Sequence, residues 1–176
     1  MLCVLFASTM AQASGSEEKS PEEQAVETEK KAMAKYNDGV GKMKRADELM
    51  AKGDKDKAGR EYEQAAKRFK EALEYKPEFP EALNNLGYSL RLTGRYEEAL
   101  KHYGKAIELK PDFWQAHEYR ARAYLALDSV ARAQAEYQWL VDHKHQAEAD
   151  SLKVTIDAWA LAKAEGKKSS VEKSGW

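Results

Sequence analysis

The chain repeats itself every 34 residues, and this period restricts the possible folds more than any single motif does. Ala65, Ala99 and Ala133 stand one period apart, as do Phe69, Tyr103 and Tyr137, and Ala72, Ala106 and Leu140; Pro77 and Pro111 close the first two units. A small residue that recurs at one place marks a close approach of two helices, and an aromatic that recurs at another fills the gap between units. In the middle unit Leu83, Leu86, Gly87 and Leu90 have the i, i+3, i+4, i+7 spacing of an amphipathic helix, and Tyr96, Ala99, Leu100, Tyr103 and Ile107 mark a second one. Thr93-Gly94-Arg95 separates the two, glycine supplying the left-handed residue that ends a helix. Pro80 starts the first helix and Pro111 lies beyond the second. Each unit is therefore a helical hairpin. The composition agrees, since 34% charged residues with only four prolines and ten glycines suits long helices rather than sheets.

The run Pro80-Glu81-Ala82-Leu83-Asn84-Asn85-Leu86-Gly87, followed by Gly94, Tyr96, Ala99, Tyr103, Ala106 and Pro111, resembles the tetratricopeptide repeat family at nearly every signature position. A third unit over 114–147 keeps Ala121, Tyr124, Ala133 and Tyr137 but has Asp128 where glycine would recur and His145 where proline would. The first unit keeps Gly53, Tyr62, Ala65, Phe69, Ala72 and Pro77, yet Gly53 lies 41 residues before Gly94, so its second helix is about seven residues longer. The resemblance implies an all-α, tetratricopeptide-type α-solenoid of about three helix-turn-helix repeats. The expected order is an elongated first hairpin over 22–79, repeats over 80–113 and 114–147, and a C-terminal capping helix over 148–165. Leu152, Ile156, Trp159 and Ala160 recur with helical spacing in that last stretch, and the final repeat of a stacked array needs such a cover for its apolar face.

Seven extra residues turn a helix by roughly 700°, within about 20° of two full turns, so the added length keeps the apolar stripe on the core. Ala58, Tyr62, Ala65, Phe69 and Ala72 form that stripe, and Val26, Met33, Tyr36, Val40, Met43 and Met50 form a matching seam interrupted by Glu29 and Asp47. Counting back strictly from Gly53 places Lys42 and Arg45 in the core and Met43 in the groove. A one-residue shift reverses this and is preferred, because charged residues are rarely buried unpaired. Ser20-Pro21-Glu22-Glu23 reads as a capping box with proline at the first helical position.

The ends of the chain differ from its middle. Residues 2–10 are apolar and run into Ala11-Gln12-Ala13-Ser14, a small-x-small pattern that predicts a signal peptide over 1–13, cleaved after Ala13. That run is too short to span a bilayer, which takes about 20 apolar residues. An exported chain, periplasmic or secreted, is expected, and its one cysteine, Cys3, leaves with the leader, which suits an oxidising compartment. Residues 14–21 read as a polar tether, and 166–176, rich in Lys, Ser and Gly, as a disordered tail.

The chemistry searched for along the chain is that of binding, not catalysis. His117-Glu118 begins like a zinc-protease helix, but Ala121 stands where the second ligand belongs. His143-Lys144-His145 offers two imidazoles on a turn, and Gly39-Val40-Gly41 has no strand before it. No enzyme, metal or cofactor is expected. A net charge of -1, from 29 basic against 30 acidic residues, argues against nucleic acid as a partner. Resemblance to the family places Glu81, Asn84, Asn85, Tyr88 and Arg91 on the concave side of the solenoid, and Gln115, Glu118, Tyr119, Arg122 and Leu125 one period later. Helical geometry is consistent with this, because these positions lie opposite or beside the Leu83-Leu86-Leu90 stripe. Tyr and Arg are frequent interface anchors, and Asn84 and Asn85 suit the backbone of an extended peptide. The competing reading has Tyr88 and Tyr119 only packing between helices, with the arginines paired to Glu81 and Glu118. The acid-binding clamp found in some family members is not expected, since Gln115 and Tyr119 occupy positions where Lys and Arg would stand. The expected function is an envelope scaffold holding a protein or peptide partner, with no membrane span. The alternative is a structural role through the long first hairpin, either self-association as a homodimer or docking as a subunit of a larger assembly.

Overall fold

The computed structural model describes residues 19–166. The leader at 1–13, residues 14–18 of the tether and all but Gly166 of the 166–176 tail lie outside them. Among the described residues the chain is all helix: α1 (Pro21–Ala51), α2 (Lys55–Tyr75), α3 (Pro80–Leu92), α4 (Tyr96–Leu109), α5 (Trp114–Ala126), α6 (Val130–Asp142) and α7 (Gln146–Ala164). Short turns fold α1/α2, α3/α4 and α5/α6 into antiparallel hairpins. Each hairpin packs on the next in chain order, and α7 lies against both α5 and α6. The result is a tetratricopeptide-type α-solenoid. Among the described residues no helix is long and apolar enough to cross a membrane.

Local chemistry sets the ends of these helices. Ser20 Oγ accepts the Glu23 amide at 3.2 Å while Glu23 Oε2 accepts the Ser20 amide at 2.8 Å, so two orphan donors of α1 are satisfied reciprocally beside Pro21. Hairpin turns require one left-handed residue each, and Gly53 (φ 80°) and Gly94 (φ 79°) provide it without a Cβ clash. In the third hairpin Asp128 takes this conformation (φ 56°), and Lys144 (φ 64°) does so between α6 and α7. Each departure from glycine there costs about 1 kcal/mol. Lys163 of α7 pairs with Asp128 at 2.7 Å, but both side chains are exposed and the pair offsets little of that cost.

The period of small and aromatic residues has a direct structural cause. A Cβ placed on Gly87 would lie 2.7 Å from Cε1 of Tyr103, and one on Gly39 would lie 2.7 Å from Cε1 of Phe69. In both hairpins the ring of the second helix therefore rests on the bare backbone of the first, and Phe69 and Tyr103 are fully buried. Ala121 stands at the Gly87 position of the third hairpin, and its Tyr137 is only half-buried, as expected where a methyl group takes part of the room.

This contact also fixes the register of the first hairpin. Gly39 precedes Gly53 by 14 residues, whereas Gly87 precedes Gly94 by seven, so α1 as well as α2 is one heptad longer on the turn side of its glycine. Antiparallel arms can close at a common turn only if both are lengthened. The fully buried residues of α1 are Ala32, Gly39 and Ala46, in steps of seven; of the expected seam, Tyr36, Val40, Met43 and Met50 pack beside them against the apolar clusters, whereas Val26 and Met33 do not. Tyr62 lies seven residues before Phe69 and packs with Ala46 and Ala58, so the added heptad repeats the small-on-aromatic layer once more. Residues 21–31 of α1 extend past the level at which α2 ends, which leaves Val26 69% exposed, and Met33, just inside that level, is 37% exposed. The preferred one-residue shift holds for Met43, which packs against two of the apolar clusters, although it also lines the groove. Lys42 and Arg45 avoid the core by turning to Glu61, at 3.6 and 3.8 Å.

The two largest apolar clusters join end to end along the solenoid. One links α2, α3 and α4 around Phe69, Leu86, Leu90 and Tyr103, and the other links α5, α6 and α7 around Leu125, Leu140, Leu152 and Trp159. Of the seam expected on α7, Leu152, Ile156 and Trp159 are buried and Ala160 is exposed. Because Tyr103 has no room to retreat, the Gly87→Ala variant is expected to lose about 1–2 kcal/mol despite alanine's better helix propensity. The checking measurement is thermal or urea unfolding followed by circular dichroism, against an exposed-glycine control, Gly41→Ala, where an added Cβ meets nothing within 4 Å.

Candidate functional site

α1, α3 and the start of α5 do not meet along their full lengths, and a cleft of about 660 Å³ opens where they diverge. Six of the ten residues expected on the concave side line it: Glu81, Asn84, Asn85 and Tyr88 from α3, with Gln115 and Tyr119 from α5. The other four do not. Arg91 is buried, its guanidinium lying 5.2 and 5.8 Å from the ring centres of Tyr88 and Tyr119. Glu118 accepts Arg122 at 2.7 Å, and Arg122 also donates to Thr155 and Ser151 of α7, each at 3.2 Å. Leu125 is buried in the cluster shared by α5, α6 and α7. The capping helix thus covers the far end of the surface that the repeat pattern had assigned to a guest. The competing reading is correct for the Glu118–Arg122 pair, while Glu81 takes Lys110 at 3.4 Å instead of an arginine.

The remaining walls come from residues that the concave-face pattern does not include. Tyr36, Met43 and Asp47 project from α1, Asp112, Phe113 and Trp114 from the turn into α5, and Lys110 and His145 flank the opening. Asp47 had a sequence signal, because it interrupts the apolar seam of α1 and a charge on such a face needs a reason. Phe113 ends the connection between hairpins, one period after the equally buried Phe79, and Trp114 opens α5.

Asp47 organises the floor of the cleft. Its Oδ1 accepts the phenol of Tyr62 in a short hydrogen bond and that of Tyr88 at 3.1 Å. Burial raises the pKa of both tyrosines well above the ordinary phenol range, and the neighbouring carboxylate raises them further. Both phenols therefore stay protonated and donate. A line of amides joins the opposite wall: Asn84 donates to Asn85 Oδ1 and Asn85 to the Tyr36 hydroxyl, each at 3.2 Å. Asn84 is 4% exposed and its Oδ1 receives no donor. The rings continue the order, with Tyr88 against Tyr119 at 5.0 Å and Tyr62 edge-on to Tyr88 at 6.1 Å between centroids.

Of the histidines, His145 alone among the described residues lines the cleft. His117 Nδ1 lies 2.7 Å from Glu136 and Nε2 lies 3.2 Å from the Pro111 carbonyl, while its ring stacks at 3.5 Å on Trp139. Arg120 holds the other carboxylate oxygen of Glu136 at 2.7 Å. This buried ion group replaces the Leu83-type packing of the preceding repeat, and it explains why a histidine appears where the pattern calls for an aliphatic residue. His143 stacks on Trp139 at 4.0 Å between ring centres, and His145 lies 6.0 Å from Trp114.

Residues 80–113 match the family model described as tetratricopeptide repeat, and residues 46–93 match one described as TPR repeat. No curated protein matches the chain. The cleft opens between the two hairpins that these matches overlap. Removing one donor from its floor, in Tyr62→Phe, is expected to lower stability by about 0.5–1.5 kcal/mol, read as a shift of the urea midpoint.

Proposed function

Since the chain is a tetratricopeptide repeat protein, a fold whose repeats serve as protein-interaction scaffolds, we propose that it is a non-catalytic scaffold of the cell envelope. In this reading it is exported by the leader at 1–13 and holds an extended segment of a partner protein in the cleft between α1, α3 and α5. The observation that carries the proposal is the convergence of Asn84, Asn85, Tyr88 and Tyr119 with Tyr36 and Asp47 on one concavity. Amides placed among rings can take up peptide N–H and C=O groups while the rings bury side chains, the usual division of labour at an interface. The titratable groups of the cleft floor are tied to one another in a static network, and their arrangement favours recognition over proton transfer.

Asn85→Arg introduces a long side chain into the cleft from a half-buried position. It is expected to weaken capture of the native partner at least tenfold, on the scale of a lost interface hot spot, while helicity and melting temperature stay near wild type. Lys105→Ala on α4 serves as the control and leaves capture unchanged. Capture that is indifferent to Asn85→Arg overturns the cleft as the binding site, and a protein recovered only from the cytoplasm with 1–13 intact overturns the location.

A second reading has its own observation in the α1 overhang, where Val26 and Met33 remain exposed one heptad apart. A homodimer through that face would double the mass in light scattering, and Val26→Glu with Met33→Glu would return it to the monomer. A monomeric wild type at every concentration eliminates this alternative.

A further inference from the structure

We infer that the cleft selects a basic side chain, the ammonium of a lysine or the guanidinium of an arginine on the bound segment, and seats it against Asp47. This rests on the reading of the cleft as a peptide site and adds the chemistry of the peptide. Three carboxylates border the cleft, those of Asp47, Glu81 and Asp112. Lys110, the lysine at its rim, is already committed, lying 3.4 Å from Glu81 and 4.8 Å from the ring centre of Phe113. Asp47 differs from the other acids. Two phenols fix its Oδ1, yet among the described residues no Lys or Arg forms an ion pair with it, although it is half-buried beside Met43 and the tyrosines. A carboxylate withdrawn from water without a cation is a costly arrangement unless something else supplies the charge.

Independent support comes from Asn84. Its side chain is more than nine-tenths buried, it lines the same cleft, and its Oδ1 lacks a donor. Both groups are acceptors that line one cleft, a surplus of acceptors that an N–H-rich cationic head would complement. The rings of Tyr36, Tyr119 and Trp114 supply faces along which the aliphatic stem of a lysine or the plane of an arginine can lie. Arg91 does not reverse the polarity. Its Nε and Nη2 are buried, it does not line the cleft, and its charge rests behind the rings of Tyr88 and Tyr119. An acidic segment would instead meet three carboxylates.

The test presents a displayed library of random heptapeptides to the immobilised full chain, to Asp47→Asn and to Asn85→Arg. Asparagine keeps an oxygen for both phenols, so Asp47→Asn removes the charge with little change of shape, and circular dichroism verifies its fold. Wild type is expected to retain peptides enriched in Lys or Arg at one position. A synthetic peptide from that pool should bind Asp47→Asn about tenfold more weakly and lose affinity with added salt. Enrichment of neutral or acidic sequences, or basic enrichment that persists in Asp47→Asn, overturns the inference. If such sequences are still lost in Asn85→Arg, the cleft remains the peptide site and only the charge preference falls. Retention of no peptide, or retention unaffected by Asn85→Arg, sinks both.

Discussion

An aromatic ring resting on bare backbone holds this solenoid together. Where Phe69 meets Gly39 and Tyr103 meets Gly87, no side chain separates the arms of a hairpin. The distance between arms then depends on ring thickness alone, and the outer faces of the arms are left at a constant spacing for the next hairpin to fill. Leu83, Leu86 and Leu90 use that spacing on one side of Tyr103, while Ala116 and Ala123 use it on the other. Interiors packed at crystal-like density transmit such a constraint, so a methyl group at one glycine is felt throughout the neighbouring layer.

Most of this was legible because the constraint repeats. Ala65, Ala99 and Ala133 mark the close approaches at a constant interval, and the hairpins follow from the residues that flank them. The first hairpin resisted reading for a physical reason: an added heptad restores the same face, so apolar spacing alone admits more than one register for α1. Small residues take the fully buried places there, Ala32, Gly39 and Ala46, with Tyr36, Val40 and Met43 packed beside them, while Val26 sits on the overhang beyond α2. A reading that ranks residues by apolar character prefers valine and methionine to glycine and misses those places.

The cleft was legible in part, and the division has a clear cause. Asn84, Asn85, Tyr88, Gln115 and Tyr119 could be found because they belong to helices whose orientation the repeat dictates. Asp112 and Phe113 lie in the connection between hairpins, where only the prolines were followed from unit to unit although Phe79 and Phe113 also stand one period apart, Trp114 opens α5, and Asp47 belongs to the lengthened arm. Arg122 and Leu125 were misplaced because a pattern within repeats carries no information about what covers the last one. The contacts from Arg122 to Ser151 and Thr155 show α7 occupying that stretch. The capping helix therefore limits the open concavity to the first two hairpins and the start of α5.

The lengthened first hairpin adds its extra turns in matched sevens on both arms, and the inserted layer carries Tyr62 opposite Ala46. Growth of such an arm is quantised. An insertion that does not restore the helical face, or that lengthens one arm alone, would swing Tyr62 out of line with Asp47 or leave the arms unequal at the bend, whereas another pair of sevens would simply heighten the rampart beside α3. Lineages of this architecture can thus deepen or flatten one bank of the channel in discrete increments, without disturbing the stacking that supports it.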